Sequence, residues 1–134
     1  MKNAILETAL QTVQLEAKSI ADLAAFLDAS FVEAIELLNN CKGRLVFSGI
    51  GKSALIAQKI VATLNSTGTP SIFMHAADAI HGDLGMVQPD DILLIISKSG
   101  DSPEIKVLVS LIKNFGNLVQ RIYKLVIPVQ NEIN

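Results

Sequence analysis

Residues 45–53 read LVFSGIGKS: a short apolar run from Leu45 to Phe47, a serine, two glycines one residue apart, then a lysine and a serine. A clean helical pattern follows, from Ala54 to Asn65. Strand, glycine turn and helix start together build an anion site out of backbone. Glycine lets the chain pass close to a ligand with no Cβ in the way. The unpaired N–H groups of the next helix's first turn point at whatever sits there, and the helix dipole favours negative charge. Lys52 adds a full positive charge, so phosphate is the natural guest.

Two familiar phosphate motifs can be tested against this stretch. A Walker A loop needs glycine five residues before Gly51, and that position is Val46, so a nucleoside-triphosphate site is excluded. The dinucleotide fingerprint fits better, as Gly49-Ile50-Gly51-Lys52-Ser53-Ala54, with alanine at the third small position. It also requires an acidic residue about 20 positions on, to hold the ribose. The next strand, Ser71 to Met74, instead runs into His75, Ala76 and Ala77, and Asp78 lies beyond the strand end. The dinucleotide reading is therefore weak.

Around this turn the chain alternates strand and helix. Arg44 to Ser48 reads as a first strand and Ser53 to Ser66 as the helix after the turn, closed by Thr67-Gly68-Thr69-Pro70. Ser71 to His75 is a second strand and Ala76 to Ile80 a short helix, followed by a polar loop, His81-Gly82-Asp83-Leu84-Gly85-Met86. Pro89-Asp90-Asp91 turns the chain into a third strand, Ile92 to Ser97, whose unbroken apolar run suits a central parallel strand. Pro103 opens a helix over Glu104 to Phe115, with Ser102 as its cap, and Gly116-Asn117 ends it. A fourth strand is expected within Leu118 to Val129. Upstream, Ala4 to Leu27 carries apolar residues at helical spacing, and Ser30 with Glu33 forms a capping box for a second helix ending near Leu38. The fold class is α/β, a doubly wound parallel sheet of order 2-1-3-4 preceded by two N-terminal helices. Ligands of such sheets bind outside the carboxyl ends of the strands, at the switch point between strands one and three.

The chain has 134 residues, half of them apolar, with a net charge of −2. That length makes one domain with a real core. Mean hydropathy is +0.44, yet the longest aliphatic run, Ile92 to Ile96, is far too short to cross a bilayer. The apolar excess points to strands buried on both faces or to a subunit interface, for which the Ala- and Leu-rich first helix is suited. Lys and Arg form no cluster, which argues against nucleic acid. No N-terminal stretch resembles a secretory signal. Cys41 is the only cysteine, so no internal disulfide can form, and a reduced thiol in the cytoplasm is expected.

At the switch point the second loop reads Ser97-Lys98-Ser99-Gly100-Asp101-Ser102. Its three hydroxyls, backbone N–H groups and helix N-terminus suit a phosphate monoester, although serines and glycine after a strand are also ordinary turn formers. Beside the Gly49–Ser53 turn, the phosphate reading gains weight.

Residues 48–105, SGIGKSALIAQKIVATLNSTGTPSIFMHAADAIHGDLGMVQPDDILLIISKSGDSPEI, resemble the sugar isomerase (SIS) domain of bacterial D-arabinose-5-phosphate isomerases. The GxGKS turn, STGTP, the HGDLGM loop and the SxSGxxxEI loop fall in the family's order. HGDLGM beside GxGKS is the specific part. The resemblance covers about Cys41 to Phe115 and, more loosely, the N-terminal helices. It implies a three-layer α/β/α sandwich of flavodoxin-like type and a cytoplasmic homo-oligomer, tetrameric in the family, with sites near subunit boundaries. It also implies interconversion of D-ribulose 5-phosphate and D-arabinose 5-phosphate, the entry to 3-deoxy-D-manno-octulosonate, with no cofactor, no metal, and neither nucleic acid nor membrane as partner.

The resemblance places Lys52, Glu104 and His81 as catalytic residues: the lysine for an oxyanion or the substrate, the glutamate as acid/base, the histidine in ring opening. Aldose–ketose exchange through an enediol needs such groups and a firm phosphate anchor. The implied anchor is Ser48, Gly49, Gly51, Ser53, Ser97, Ser99, Gly100 and Ser102. On the residues alone, Glu104 is equally a carboxylate pairing with a helix N-terminus, and His81 a turn histidine. Asp83 either orients His81 or closes the turn; His75 reads as structural.

The sequence also departs from the family. Lys98 stands where the family usually carries asparagine. After Leu118 the resemblance stops, the family's later glutamate and histidine have no counterpart, and the paired CBS modules of many members are missing. The expectation is therefore a C-terminally shortened SIS domain: helices over 1–40, a sugar-phosphate-binding core over 41–116 and a divergent tail over 117–134. A truncated, frame-shifted or divergent short form all remain open. Two other functions compete, a non-catalytic sugar-phosphate-binding regulatory module and another phosphosugar isomerase such as a phosphohexulose isomerase. HGDLGM favours the arabinose-5-phosphate reaction over the latter.

Overall fold

The computed structural model describes residues 2–114 and 122–125. The chain divides into two compact units, Met1–Leu37 and Leu38–Asn134. In the first, α1 spans Lys2–Asp22 and tightens into a 3₁₀ turn over Leu23–Phe26, so the expected single helix ends in a tighter last stretch. None of its large apolar residues is buried, among them Ile5, Leu6, Leu10, Val13 and Ile20.

Helix α2 (Ala29–Asn39) starts two residues earlier than a capping box with Ser30 as its cap predicts. The cap is Asp28, whose Oδ1 accepts from the Ser30 backbone N–H (2.9 Å), the Phe31 N–H (3.3 Å) and the Ser30 hydroxyl (2.6 Å). A carboxylate is the stronger acceptor at a helix N-terminus, and it draws Ser30 into its own shell. These bonds, led by the Ser30 hydroxyl, hold the Asp28 carboxyl below its ordinary pKa.

The second unit is the α/β layer structure: β1 (Leu45–Gly49), α3 (Lys52–Ser66), β2 (Ser71–His75), α4 (Ala76–Ile80), a 3₁₀ turn (Asp83–Met86), β3 (Ile92–Ile96), α5 (Pro103–Asn114) and β4 (Ile122–Leu125). The sheet order is β2-β1-β3-β4, every pair parallel, as the alternation of elements predicts. The expected extension of α5 to Phe115, its stop at Gly116-Asn117 and most of the 117–134 tail lie outside the described residues. The loop at His81 to Met86 is not wholly polar. It folds into the 3₁₀ turn with Leu84 buried beneath it.

Register decides which residues share a face. Val46 and Ser48 lie beside Leu93 and Ile95 of β3 and beside Ile72 and Met74 of β2. Period two then puts these side chains on one face. There Val46, Met74, Leu93 and Ile95 form one buried cluster with Ala76 and Ala79 of α4, Leu84, Val87, and Ile105, Leu108 and Ile112 of α5. Leu45 and Phe47 take the opposite face, against which α3 packs with Ala54 and Ala57 buried. Each fully buried Leu or Met contributes about 1.5–3 kcal/mol by leaving water. Truncating Leu93 or Leu108, both 0% exposed, to alanine would cost about 2–5 kcal/mol.

Two polar clamps close the layers. The Asn65 side chain, near the end of α3, donates to the Ser71 carbonyl (2.9 Å) and accepts from the Ser71 N–H (2.8 Å), fixing the start of β2. At the amino ends of β1 and β3, the Asp91 carboxylate accepts from Arg44 through its backbone N–H (2.7 Å), Nε (3.3 Å) and Nη2 (2.7 Å), and from the Gln88 N–H (2.9 Å). Arg44 Nη2 also donates to the Met86 carbonyl (2.8 Å). Gly43 lies so close that a Cβ there would stand 2.6 Å from the Asp90 carbonyl and 2.7 Å from Asp91 Oδ1.

Candidate functional site

The two loops singled out in the sequence emerge side by side, because β1 and β3 are hydrogen-bonded neighbours in the middle of the sheet. At their carboxyl ends the backbones are close. A Cβ on Gly49 would stand 3.1 Å from the Ala54 nitrogen and 3.2 Å from the Ile96 carbonyl oxygen. Gly49 therefore lets β1, the start of α3 and the end of β3 converge. Gly51 has φ 58° and Gly100 φ 66°, conformations that a side chain strains. One glycine thus turns each loop into its helix.

In the first loop, Lys52 opens α3 and is exposed, Ser53 is half-buried, and Gly51 caps the helix without any side-chain acceptor. Of the first-turn N–H groups, that of Ala54 already donates to the Gly51 carbonyl (3.1 Å), and those of Lys52 and Ser53 have no acceptor from within the helix. In the second loop, Ser97 Oγ accepts from the Gly100 N–H (2.9 Å) and Ser99 Oγ from the Asp101 N–H (3.1 Å). Both hydroxyl hydrogens can still donate outward. Ser102 takes the expected position before α5, with its carbonyl accepting from the Lys106 N–H (3.1 Å). Its hydroxyl caps nothing, which corrects the sequence expectation of a side-chain cap.

Ser48 Oγ and Ser102 Oγ are both shut off from solvent and have no hydrogen-bond partner among the described residues. A buried hydroxyl left unpaired costs about 1–3 kcal/mol. Ser48 shares its face with Ile95 and, two residues on, Ser97. Unsatisfied hydroxyls, two helix N-termini and Lys52 at one edge make a setting in which an anion gains hydrogen bonds and charge together.

Glu104 lies in the first turn of α5, half-buried and without an ion pair among the described residues. The fold thus brings Lys52, Glu104 and the eight residues expected to anchor a phosphate to the β1–β3 edge. His81 stands on a third connection. It is exposed at the end of α4, its N–H bonded to the Asp78 carbonyl (2.9 Å), and no hydrogen bond or ion pair joins it to Lys52 or Glu104. From there the chain descends to Met86, held by Arg44 at the opposite edge of the sheet. His75 caps α4, its Nδ1 accepting from the Ala77 N–H (3.3 Å), in keeping with a structural role. The reading of single residues missed the Arg44–Asp91 clamp. The two residues meet only through the strand register, which sets Leu45 opposite Ile92, so local sequence carried no signal for the pair.

Comparison with known proteins agrees with this architecture. A model of the SIS domain matches residues 37–126, running past the point where the sequence motifs lose the family and including β4. The chain is 46% identical over 114 residues to a probable arabinose 5-phosphate isomerase of Haemophilus influenzae, covering 85% of this chain and 34% of that protein. It is 48% identical over 111 residues to the arabinose 5-phosphate isomerase KdsD of Pseudomonas aeruginosa, covering 83% of this chain and 34% of that one. It therefore spans about a third of the length of the curated relatives it matches. Among solved structures, E. coli CFT073 c3406 in complex with arabinose 5-phosphate superposes with a TM-score of 0.84 at 36% identity, over 92% of this chain and 64% of the other. A putative phosphosugar isomerase involved in capsule formation from Bacteroides fragilis gives 0.82 at 36%, over 90% and 63%. With its parallel sheet, its paired loops and a family match over most of its length, the chain belongs to the SIS-domain family.

Proposed function

We propose that this chain binds a pentose 5-phosphate at the β1–β3 edge and serves the interconversion of D-ribulose 5-phosphate and D-arabinose 5-phosphate. The observation that carries this reading is the pair of buried hydroxyls without a partner among the described residues, Ser48 near the end of β1 and Ser102 immediately before α5. The names of the relatives and the arabinose 5-phosphate held by a structural neighbour support the choice of sugar.

In this reading the phosphate is anchored by Ser97, Ser99, Ser102 and the backbone of Gly49, Gly51 and Gly100, with Ser48 and Ser53 completing the shell. The Glu104 carboxylate takes the C1 proton of the open-chain ketose, giving an enediolate. Lys52 stabilises the negative charge on oxygen, and return of a proton to C2 gives the aldose. His81 assists ring opening, brought to the sugar by the ligand or by a second copy of the chain. Self-association fits the apolar residues exposed along α1, and the lone thiol of Cys41 fits a reducing cytoplasm.

The test is ligand binding followed by turnover. Pentose 5-phosphates should raise the melting temperature, and the unphosphorylated pentoses should not, because the anchor is the phosphate. Equal shifts with both would remove the reading. Binding without isomerisation, in wild type as in Glu104→Gln, would instead leave a sugar-phosphate-binding module with no catalytic role.

A further inference from the structure

The β1–β3 edge carries a second cation that the site as described leaves unused. Lys98 stands between Ser97 and Ser99, exposed, and makes no ion pair among the described residues. Its neighbours in the same connection differ, since Asp101 is bonded to Lys106 at 2.7 Å. Lys52 also makes no ion pair among the described residues.

The charges at this edge can be weighed. Lys52 and Lys98 each bring one positive charge, and the N-termini of α3 and α5 each bring about half of one. Glu104, ionised as a base must be, removes one. The remainder is about two positive charges, which matches a phosphate monoester at neutral pH, carrying about −1.5 to −2. Without Lys98 the edge would balance only a monoanion. Near the end of β1 the Ser48 hydroxyl, on a residue 0% exposed, has no partner among the described residues, a second and separate observation in keeping with a ligand here.

We propose that Lys98 is a specificity-determining residue that tunes the site to dianionic phosphate monoesters over singly charged ligands of the same shape. This rests on the sugar-phosphate reading above. It also gives Lys98 a role distinct from that of Lys52. Lys52 sits where β1 enters α3, whereas Lys98 lies within the serine loop itself, among the phosphate's own hydroxyl donors.

The experiment compares D-arabinose 5-phosphate, a dianion, with D-arabinose 5-sulfate, a monoanion of the same shape, by calorimetric titration of the 134-residue chain. Wild type should favour the phosphate. Lys98→Gln should weaken phosphate binding about tenfold and sulfate binding about threefold, because the lost attraction scales with ligand charge. Lys98→Arg should restore the preference. Since Lys98 is exposed, the ligand-free melting temperatures should agree, which separates the effect from misfolding. Phosphate binding that survives Lys98→Gln unchanged, or losses equal for the two esters, would overturn the role of Lys98 and leave the phosphate site standing. A wild-type chain that binds neither ester would overturn the underlying reading and this inference with it.

Discussion

Removing the Asp91 carboxylate should be among the most damaging single changes outside the apolar core. Its side chain is 1% exposed and ion-paired with Arg44, whose own side chain is 35% exposed. Burial by itself would raise the Asp91 pKa. Hydrogen bonds from the Arg44 side chain and from the Gln88 and Arg44 backbone outweigh it, aided by the guanidinium charge, and hold the carboxyl below its ordinary range. Asp91→Ala strands the Arg44 and Gln88 N–H groups and leaves the guanidinium only the Met86 carbonyl and water. Breaking a buried pair costs about 3–5 kcal/mol. Because Arg44 reaches solvent, the lower end applies, about 3 kcal/mol, a large share of the roughly 5–15 kcal/mol of a typical domain.

Urea unfolding followed by circular dichroism measures this, as a lower midpoint at unchanged slope. The pH dependence gives an independent check. A carboxyl whose folded pKa is depressed contributes stability that is complete above its unfolded pKa, near 4, and is lost as pH falls through the folded value. Wild type should therefore lose stability below about pH 5, and Asp91→Asn should lose less over the same interval. A loss under about 1 kcal/mol in Asp91→Ala, or identical acid profiles for wild type and Asp91→Asn, would refute the clamp.

Gly43→Ala should destabilise by about 1–3 kcal/mol, the range of overpacking, because its Cβ would meet the Asp90 backbone at 2.6 Å; an unchanged melting temperature would show that the β1 entry gives way freely. Ser102→Ala should leave stability unchanged or slightly improved, since its hydroxyl is unpaired, while weakening pentose 5-phosphate binding by about 0.5–3 kcal/mol. Titration calorimetry decides the second part, and intact affinity would remove Ser102 from the anchor. Sedimentation at micromolar concentration should show an oligomer, and an Ile5→Lys, Val13→Lys double variant should shift it toward the monomer; a wild-type monomer would contradict the role given to α1.

Much of the fold was legible in the chain. The unbroken apolar run Ile92–Ile96 marks a strand buried on both faces, Gly49 and Gly51 mark a turn where backbone must converge, and Pro103 marks a helix start. These are local signals, each with its own physical cause, and together they imply the β2-β1-β3-β4 order. The juxtaposition of the Gly49–Ser53 and Ser97–Ser102 loops followed, because strand order places their ends side by side. Local sequence could not say that Asp28 rather than Ser30 caps α2, since both are good caps and their competition is settled only by geometry. Nor could it pair Arg44 with Asp91, which are separated by 47 positions and meet only through strand register. The Ser102 hydroxyl reads as a cap in sequence, and only packing shows it buried and unbonded. Composition and pattern determined the layers and which residues stand at the carboxyl ends of β1 and β3. Tertiary structure decided which polar groups are spent holding the layers together and which are left unpaired among the described residues, because satisfaction of a buried hydroxyl or carboxylate depends on neighbours that lie far away in the chain.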